Sequence, residues 1–132
     1  MTGHNLVDAR TSLPTDAAFI YDSWFKAYWK ATACKTTPFH IYKPGQNALI
    51  SRLLGRAGSV VAFSPEVPDE ILGYAVSEYQ TVHFVYVKPS YRKMGIGRGL
   101  IRGCDRYTQY MGALGVLFAE KCGLQFDPYL AY

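Results

Sequence analysis

The sequence predicts a single α/β (α+β) domain, 1–132, in which a mixed central sheet is covered by helices. Three observations carry this. Apolar residues recur at helical spacing over two stretches, 15–31 and 46–56. Three β-rich runs then follow between Ser59 and Val87, close enough together for an antiparallel meander. A strand, a helix and a further apolar strand run from Thr81 to Ala119, and a right-handed crossover sets those two strands parallel. With 132 residues, 49% hydrophobic and 18% charged, the chain suits one packed domain and is unlike a disordered one.

Asn5 to Thr11 reads as a short first strand with Leu6 and Val7 as its apolar content. Thr15 stands where an N-cap is needed, and Asp16 suits the positive end of the helix dipole. Ile20, Trp24 and Tyr28, with Tyr21, Phe25 and Trp29 beside them, make an aromatic helix to about residue 31, most of it core. A loop containing Cys34, Thr37 and Pro38 follows, and Pro44-Gly45 predicts a break. The second helix is therefore expected over Gln46 to Arg56, with Gly58 near its end. Ser59 to Phe63 is a buried strand, Ser64 to Asp69 a turn, and Ile71 to Tyr79 and Thr81 to Val87 two more strands. Pro89 stops the last of these, and Gly95-Ile96-Gly97 opens a helix. Its predicted buried side is Ile96, Leu100, Ile101, Cys104 and Tyr107. Gly115 to Ala119, almost wholly apolar, reads as a covered central strand.

Several function classes drop out on composition. No apolar run approaches the roughly 18–20 residues needed to cross a bilayer, and Met1 to Arg10 lacks an export signal, so a cytoplasmic protein with no membrane partner is expected. Three cysteines (Cys34, Cys104, Cys122), an odd number without a CxxC pair, exclude a disulfide-stapled scaffold. Cys122 as an acyl-accepting nucleophile has no His/Asp neighbourhood to support it. His4, His40 and His83 are too dispersed for a metal site. The formal charge of +4 raises the question of nucleic acid. Yet Lys88, Arg92, Lys93, Arg98, Arg102 and Arg106 crowd into one short stretch against a single acid, Asp105. Basicity so localised suits a compact anion site better than a backbone-binding face, and nucleic acid is not an expected partner.

The chemistry lies in that stretch. The strand Val82-His83-Phe84-Val85-Tyr86-Val87 runs through Lys88-Pro89-Ser90-Tyr91 into Arg92-Lys93-Met94-Gly95-Ile96-Gly97-Arg98. Unpaired N–H groups at the start of a helix attract anions, glycines let a phosphate approach the backbone, and the basic side chains add formal charge. The Walker A pattern is missing, and so is the third glycine of a dinucleotide fingerprint.

In context the segment resembles the coenzyme A-binding signature of the GNAT superfamily of N-acetyltransferases, Arg/Gln-x-x-Gly-x-Gly/Ala after a hydrophobic strand, here Arg92-Lys93-Met94-Gly95-Ile96-Gly97. The element order matches that fold as far as its fifth strand. The resemblance implies a GNAT-like sheet and acetyl-CoA as co-substrate, with no metal. It implies that main-chain N–H groups from Arg92 to Arg98 cradle the pyrophosphate. Val85, Tyr86 and Val87 would line the pantetheine arm, and the N–H near Val85 would hold the thioester oxygen as charge develops on it. The implied reaction is acetyl transfer to a primary amine, small-molecule or peptide, by direct attack in a ternary complex.

Such a reaction needs a proton acceptor for the amine and a donor for the thiolate. His83 is the first candidate base: strand alternation puts it on the face of Val85 and Val87, its ordinary pKa of about 6.5 suits neutral pH, and some family members carry a histidine nine residues before the signature arginine. A half-buried structural histidine is the competing reading. Thr81 stands where other members place a glutamate, and Glu78 is the second candidate. Tyr129 is the candidate acid, at about the distance where members carry a tyrosine on a helix after the fifth strand. Tyr28, His40 and Tyr42 lie where this fold forms its acceptor wall, as contact or as packing. Lys121 to Tyr132 cannot supply the helix and two strands that typically follow the fifth strand. The expected form is thus C-terminally shortened, with a homodimer covering the exposed edge. Two alternatives stay open: a catalytically inactive coenzyme A-binding or assembly module, and a nucleic-acid-modifying acyltransferase.

Overall fold

A computed structural model describes residues 7–109 and 112–132. The elements are β1 (Asp8–Thr11), α1 (Ala17–Ala31), α2 (Phe39–Arg56), β2 (Gly58–Ser64), β3 (Val67–Glu78), β4 (Thr81–Val87), α3 (Ile96–Leu100), β5 (Arg106–Tyr107), α4 (Gly112–Lys121) and β6 (Gln125–Phe126). They build one mixed sheet in the order β1-β2-β3-β4-β5-β6. β1 to β4 are antiparallel neighbours, and β4, β5 and β6 run parallel. The predicted meander is present; the parallel crossover from β4 leads to a strand at Arg106–Tyr107, not to Gly115–Ala119 where the sequence predicts it. Asn5 and Leu6, assigned to the first strand from sequence, lie outside the described residues.

The sheet separates two apolar layers. On one face Ile20 and Trp24 of α1 and Ile50 and Leu53 of α2 pack on Val61, Tyr74, Val76 and Phe84. On the other, Ala75 and Val82 meet Ile101, Tyr107, Ala119 and Leu124. Trp24 is completely buried and stacks on Phe84 with ring centroids 5.2 Å apart. The tight turn between β3 and β4 places Tyr79 and Gln80 both at positive φ, the geometry of a two-residue hairpin turn usually filled by Asn-Gly.

Four expectations are corrected. First, α2 does not break at Pro44 but runs through it from Phe39. Tyr42, Gln46, Ile50 and Leu53 form one buried stripe spanning the proline, and the Tyr42 hydroxyl donates to the Phe25 carbonyl at 2.5 Å. Burying that stripe outweighs the one main-chain hydrogen bond a proline removes. Second, α3 is only five residues long. Gly97, Gly99 and Gly103 disfavour continuation, and Gly103 reverses the chain at φ +88°. Tyr107 consequently belongs to β5, not to this helix. Third, Gly115 to Ala119 lies within helix α4. Leu114 and Leu117 face outward while Ala119 is fully buried, a helical alternation that a short apolar run conceals. Fourth, the fifth strand lies at Arg106–Tyr107 and not at Gly115–Ala119, so the chain beyond it supplies a helix and one strand, still one strand short of the three elements expected, and the C-terminal shortening stands.

Candidate active site

β4 carries a bulge at His83. Val76 opposes Phe84 and Ser77 opposes Val82, so β4 spends one residue more than β3 between these pairs. Strict alternation would put Val82 and Val85 on opposite faces, yet both pack in the layer of Ile101 and Tyr107. The bulge also corrects the predicted side-chain direction of His83. Its ring leaves the face of Val85 and meets Glu78, which alternates with Val76 and Tyr74 on the α1/α2 side.

The outer edge of β4 opens beyond the bulge. β5 pairs with β4 only at Thr81 and Val82, and the Thr108 N–H donates to the Val82 carbonyl at 3.2 Å. On the inner side the Lys88 N–H donates to the Leu72 carbonyl at 2.9 Å. Tyr86 and Phe84 share that orientation by alternation, so the N–H and C=O groups of Val85 and Val87 face the open edge. Among the described residues no strand covers that stretch.

At the end of this edge lies the glycine loop. Lys93 and Gly95 adopt φ +67° and +81°, turning successive amides in one direction. Among the described residues, none of the main-chain N–H groups from Lys93 to Arg98 meets an acceptor within the protein. The Arg92 Nε donates to the Val87 carbonyl at 2.7 Å, and its guanidinium lies over Tyr86. The Tyr91 hydroxyl donates to Glu70 at 2.7 Å, tying the loop to β3. Ile96 is buried, and Gly97 lies so close to Phe118 of α4 that a Cβ there would stand 3.3 Å from the ring. Met94 is exposed.

The other end of β4 holds the ionisable groups. His83 is 1% exposed and uses both ring nitrogens: Nδ1 lies 2.9 Å from Thr108 Oγ1 and Nε2 lies 2.9 Å from Glu78 Oε1. Burial lowers its pKa below the usual histidine value, against the pull of Glu78. Burial works to raise the Glu78 carboxyl, but hydrogen bonds from Arg56 and His83 outweigh it and hold the group below the usual glutamate value. The Arg56 Nε donates to the same Oε1 at 2.7 Å. Glu78 borders an open cleft of about 470 Å³ with Arg56, Tyr79, Thr81 and Leu130.

The structure therefore brings His83, Glu78 and Thr108 together at one end of β4 and the loop Arg92–Arg98 to the other. Tyr129 is not on the helix after the fifth strand. That helix is α4, whose sequence GALGVLFAEK has no tyrosine. Tyr129 sits 82% exposed in the 3-10 turn Pro128–Ala131. Tyr42 is buried with its hydroxyl engaged by Phe25, and burial pushes its pKa up, so it is a packing residue. Tyr28 is half-buried and stacks on Tyr42, and His40 is exposed. Burial likewise raises the Cys104 thiol. Among the described residues no cluster of His, Cys, Asp and Glu could hold a metal, and no helix is long and apolar enough to cross a membrane. Sequence reasoning missed Arg56 and Thr108. Each lies far along the chain from its partner, and only the fold pairs them.

A six-stranded mixed sheet that opens beside β4, with an amide-lined basic loop at the mouth of the opening, defines the acetyltransferase class of α/β folds. A family model described as the acetyltransferase (GNAT) family matches residues 21–123, and the chain belongs to that family. Solved structures agree on the fold. The apo form of YjaB from Escherichia coli superposes with TM-score 0.65 at 18% identity, over 89% of this chain and 81% of that one. A transcriptional regulator from Bacillus halodurans gives 0.51 at 18% identity over 90% and 93%. A GCN5-related N-acetyltransferase from Rhodopseudomonas palustris gives 0.50 at 22% identity over 92% and 72%. No curated protein matches the chain.

Proposed function

We propose that this chain is an N-acetyltransferase that moves acetyl from acetyl-CoA to a primary amine by direct attack. The observation that supports this best is the run of uncapped amides from Lys93 to Arg98, placed where an open strand edge ends. A loop already satisfied from within could not take up a pyrophosphate. This one has its donors free, cations at Arg92, Lys93 and Arg98, and a glycine at the left-handed position.

The lengths also fit. From Val87 back to His83 is four residues of strand, about 13 Å. An extended arm anchored at the loop and pairing with Val85 and Val87 along the edge brings its thioester to the bulge. There the Val85 N–H takes the carbonyl oxygen, favouring the charge that grows on it during attack. Glu78, ionised at neutral pH, meets the amine arriving through the cleft and accepts its proton. His83, buried behind it, donates its Nε2–H to Oε1 and steadies the carboxylate, with Nδ1 toward the Thr108 hydroxyl. Tyr129, on the turn that borders the cleft through Leu130, is the donor proposed for the departing thiolate. We extend the reading to a homodimer across β6, where Phe126 and the outer face of α4 leave apolar surface.

Calorimetry with acetyl-CoA tests the assignment. The wild type should bind, and Gly95→Trp, which puts a bulky side chain at φ +81° in the loop, should lose binding while keeping its fold. Equal affinity in both proteins would overturn the pocket. Binding without turnover over a panel of amines would leave an inactive coenzyme A-binding module instead.

A further inference from the structure

Arg56 ends α2 and touches three parts of the chain at once. Its Nε holds Glu78 Oε1 at 2.7 Å on β3. Its two terminal nitrogens donate to the main-chain oxygens of Leu130 at 2.8 Å and Tyr132 at 3.1 Å. A guanidinium presents five donors in a rigid plane, so fixing two of its nitrogens fixes the direction of the third. The turn that supplies those oxygens is itself tied down. Ala131 is buried, Asp127 accepts from the Tyr129 N–H, and Arg52, one turn earlier on α2, lies over the Tyr132 ring at 5.4 Å.

Glu78 gains from this an unequal pair of oxygens. Oε1 receives both Arg56 and His83, whereas Oε2 meets no donor among the described residues. The charged and titratable groups that meet the Glu78 carboxyl are Arg56 from α2 and His83 from β4; Tyr79, next in the hairpin turn, borders the same cleft but is 94% exposed. Arg56 is the cation of that set, its side chain one-third exposed against 15% for Glu78. The cleft bordered by Arg56, Glu78 and Leu130 is thus built partly from the C-terminal turn.

We propose that Arg56 is a positioning residue for acyl transfer, clamped by the C-terminal turn so that it holds the Glu78 carboxylate with its second oxygen facing the acceptor cleft. This rests on the reading of Glu78 as the proton acceptor. It adds that the last residues of the chain act on that group through one side chain. An arginine beside a carboxylate favours its ionised form, and the partial exposure of this pair moderates that effect.

The test uses Arg56→Gln and Arg56→Lys in the full chain, with two readouts. The first is the pH profile of kcat/KM for acetyl transfer to a primary amine, such as 2-phenylethylamine. The acid limb marks protonation of the Glu78–His83 pair, and in Arg56→Gln it should move up by about one pH unit. The second is a carbon-13 NMR titration of the Glu78 carboxyl, which needs no activity and should show the same upward shift. Arg56→Lys keeps the charge but cannot reach three oxygens at once, so its shift should be smaller and of the same sign, and it serves if the glutamine variant does not fold. A Glu78 carboxyl whose titration is unmoved in a folded variant overturns the proposal, even if stability and rate both fall. A shifted titration in a chain that transfers no acetyl upholds the clamp and refutes the transfer reading instead.

Discussion

Gly73 is where packing against β4 is tightest, and replacing it by alanine separates steric from conformational effects. It opposes Val87 in a pair without direct main-chain bonds, the kind in which strands approach most closely. A Cβ built there would stand 2.6 Å from the Tyr86 carbonyl oxygen and 3.2 Å from the Val87 Cα. Both are backbone atoms in the middle of a strand, so neither can swing aside. Relief requires β4 to retreat by roughly 0.5–1 Å, and overpacking of this kind costs about 1–3 kcal/mol. An unfolding entropy of about 2.1 cal/mol/K per residue turns that, for 132 residues, into a melting temperature lower by about 4–11 °C. Gly55→Ala is the internal control. It lies in α2 with nothing within 4 Å of the added carbon, and it should gain about 0.5–1 kcal/mol. Thermal melts followed by circular dichroism would measure both. Calorimetry should show weaker acetyl-CoA binding for Gly73→Ala, because Val85 and Val87 move with the strand. A Gly73→Ala melting temperature equal to or above wild type would refute the reasoning.

Acidification should unfold the protein in two stages. His83 is held below its usual pKa by burial, so the unfolded chain binds a proton that the folded one refuses, and stability should drop as pH falls below about 6.5; His83→Gln should flatten that step in urea titrations. Glu78 and Asp16 both have lowered folded values, Asp16 chiefly through its bond to Arg10, so their share is present above about 4.5 and lost as pH falls through those values. Pro44→Ala should restore a main-chain donor inside α2 and raise stability by about 1–3 kcal/mol; a lower denaturation midpoint would show that the proline fits that turn better than a regular helix does.

The parts of the fold legible in the sequence are those where local pattern and tertiary demand agree. β4 is found over Thr81–Val87, as its β-branched and aromatic run predicts, and α1 ends at Ala31, close to the predicted stop. Legibility fails where long-range packing decides. Pro44 is a strong local stop signal, but the stripe from Tyr42 to Leu53 has a buried surface waiting for it. The α4 segment is apolar enough to be either strand or helix, and its length decides only once β5 is known to be Arg106–Tyr107. At the site the loop is legible because glycine, charge and strand sit side by side in the chain. The link between Arg56 and Glu78 spans 22 positions and has no local mark.

His83 shows how one unreadable feature governs both fold and site. Alternation along β4 predicts its direction correctly only if no residue is inserted, and an inserted residue leaves no compositional trace. The insertion turns His83 toward Glu78, returns Val85 to the face of Val82, and coincides with the last bond between β4 and β5, Thr108 to Val82. A strand bent at that point cannot keep its neighbour in register, so the sheet opens where the ionisable pair begins. The open edge that Val85 presents and the burial that quiets His83 are therefore consequences of a single extra residue. Deleting Val82, which takes one residue out of the bulge but keeps the histidine, should close the edge and return His83 to the face of Val85 together, not one without the other.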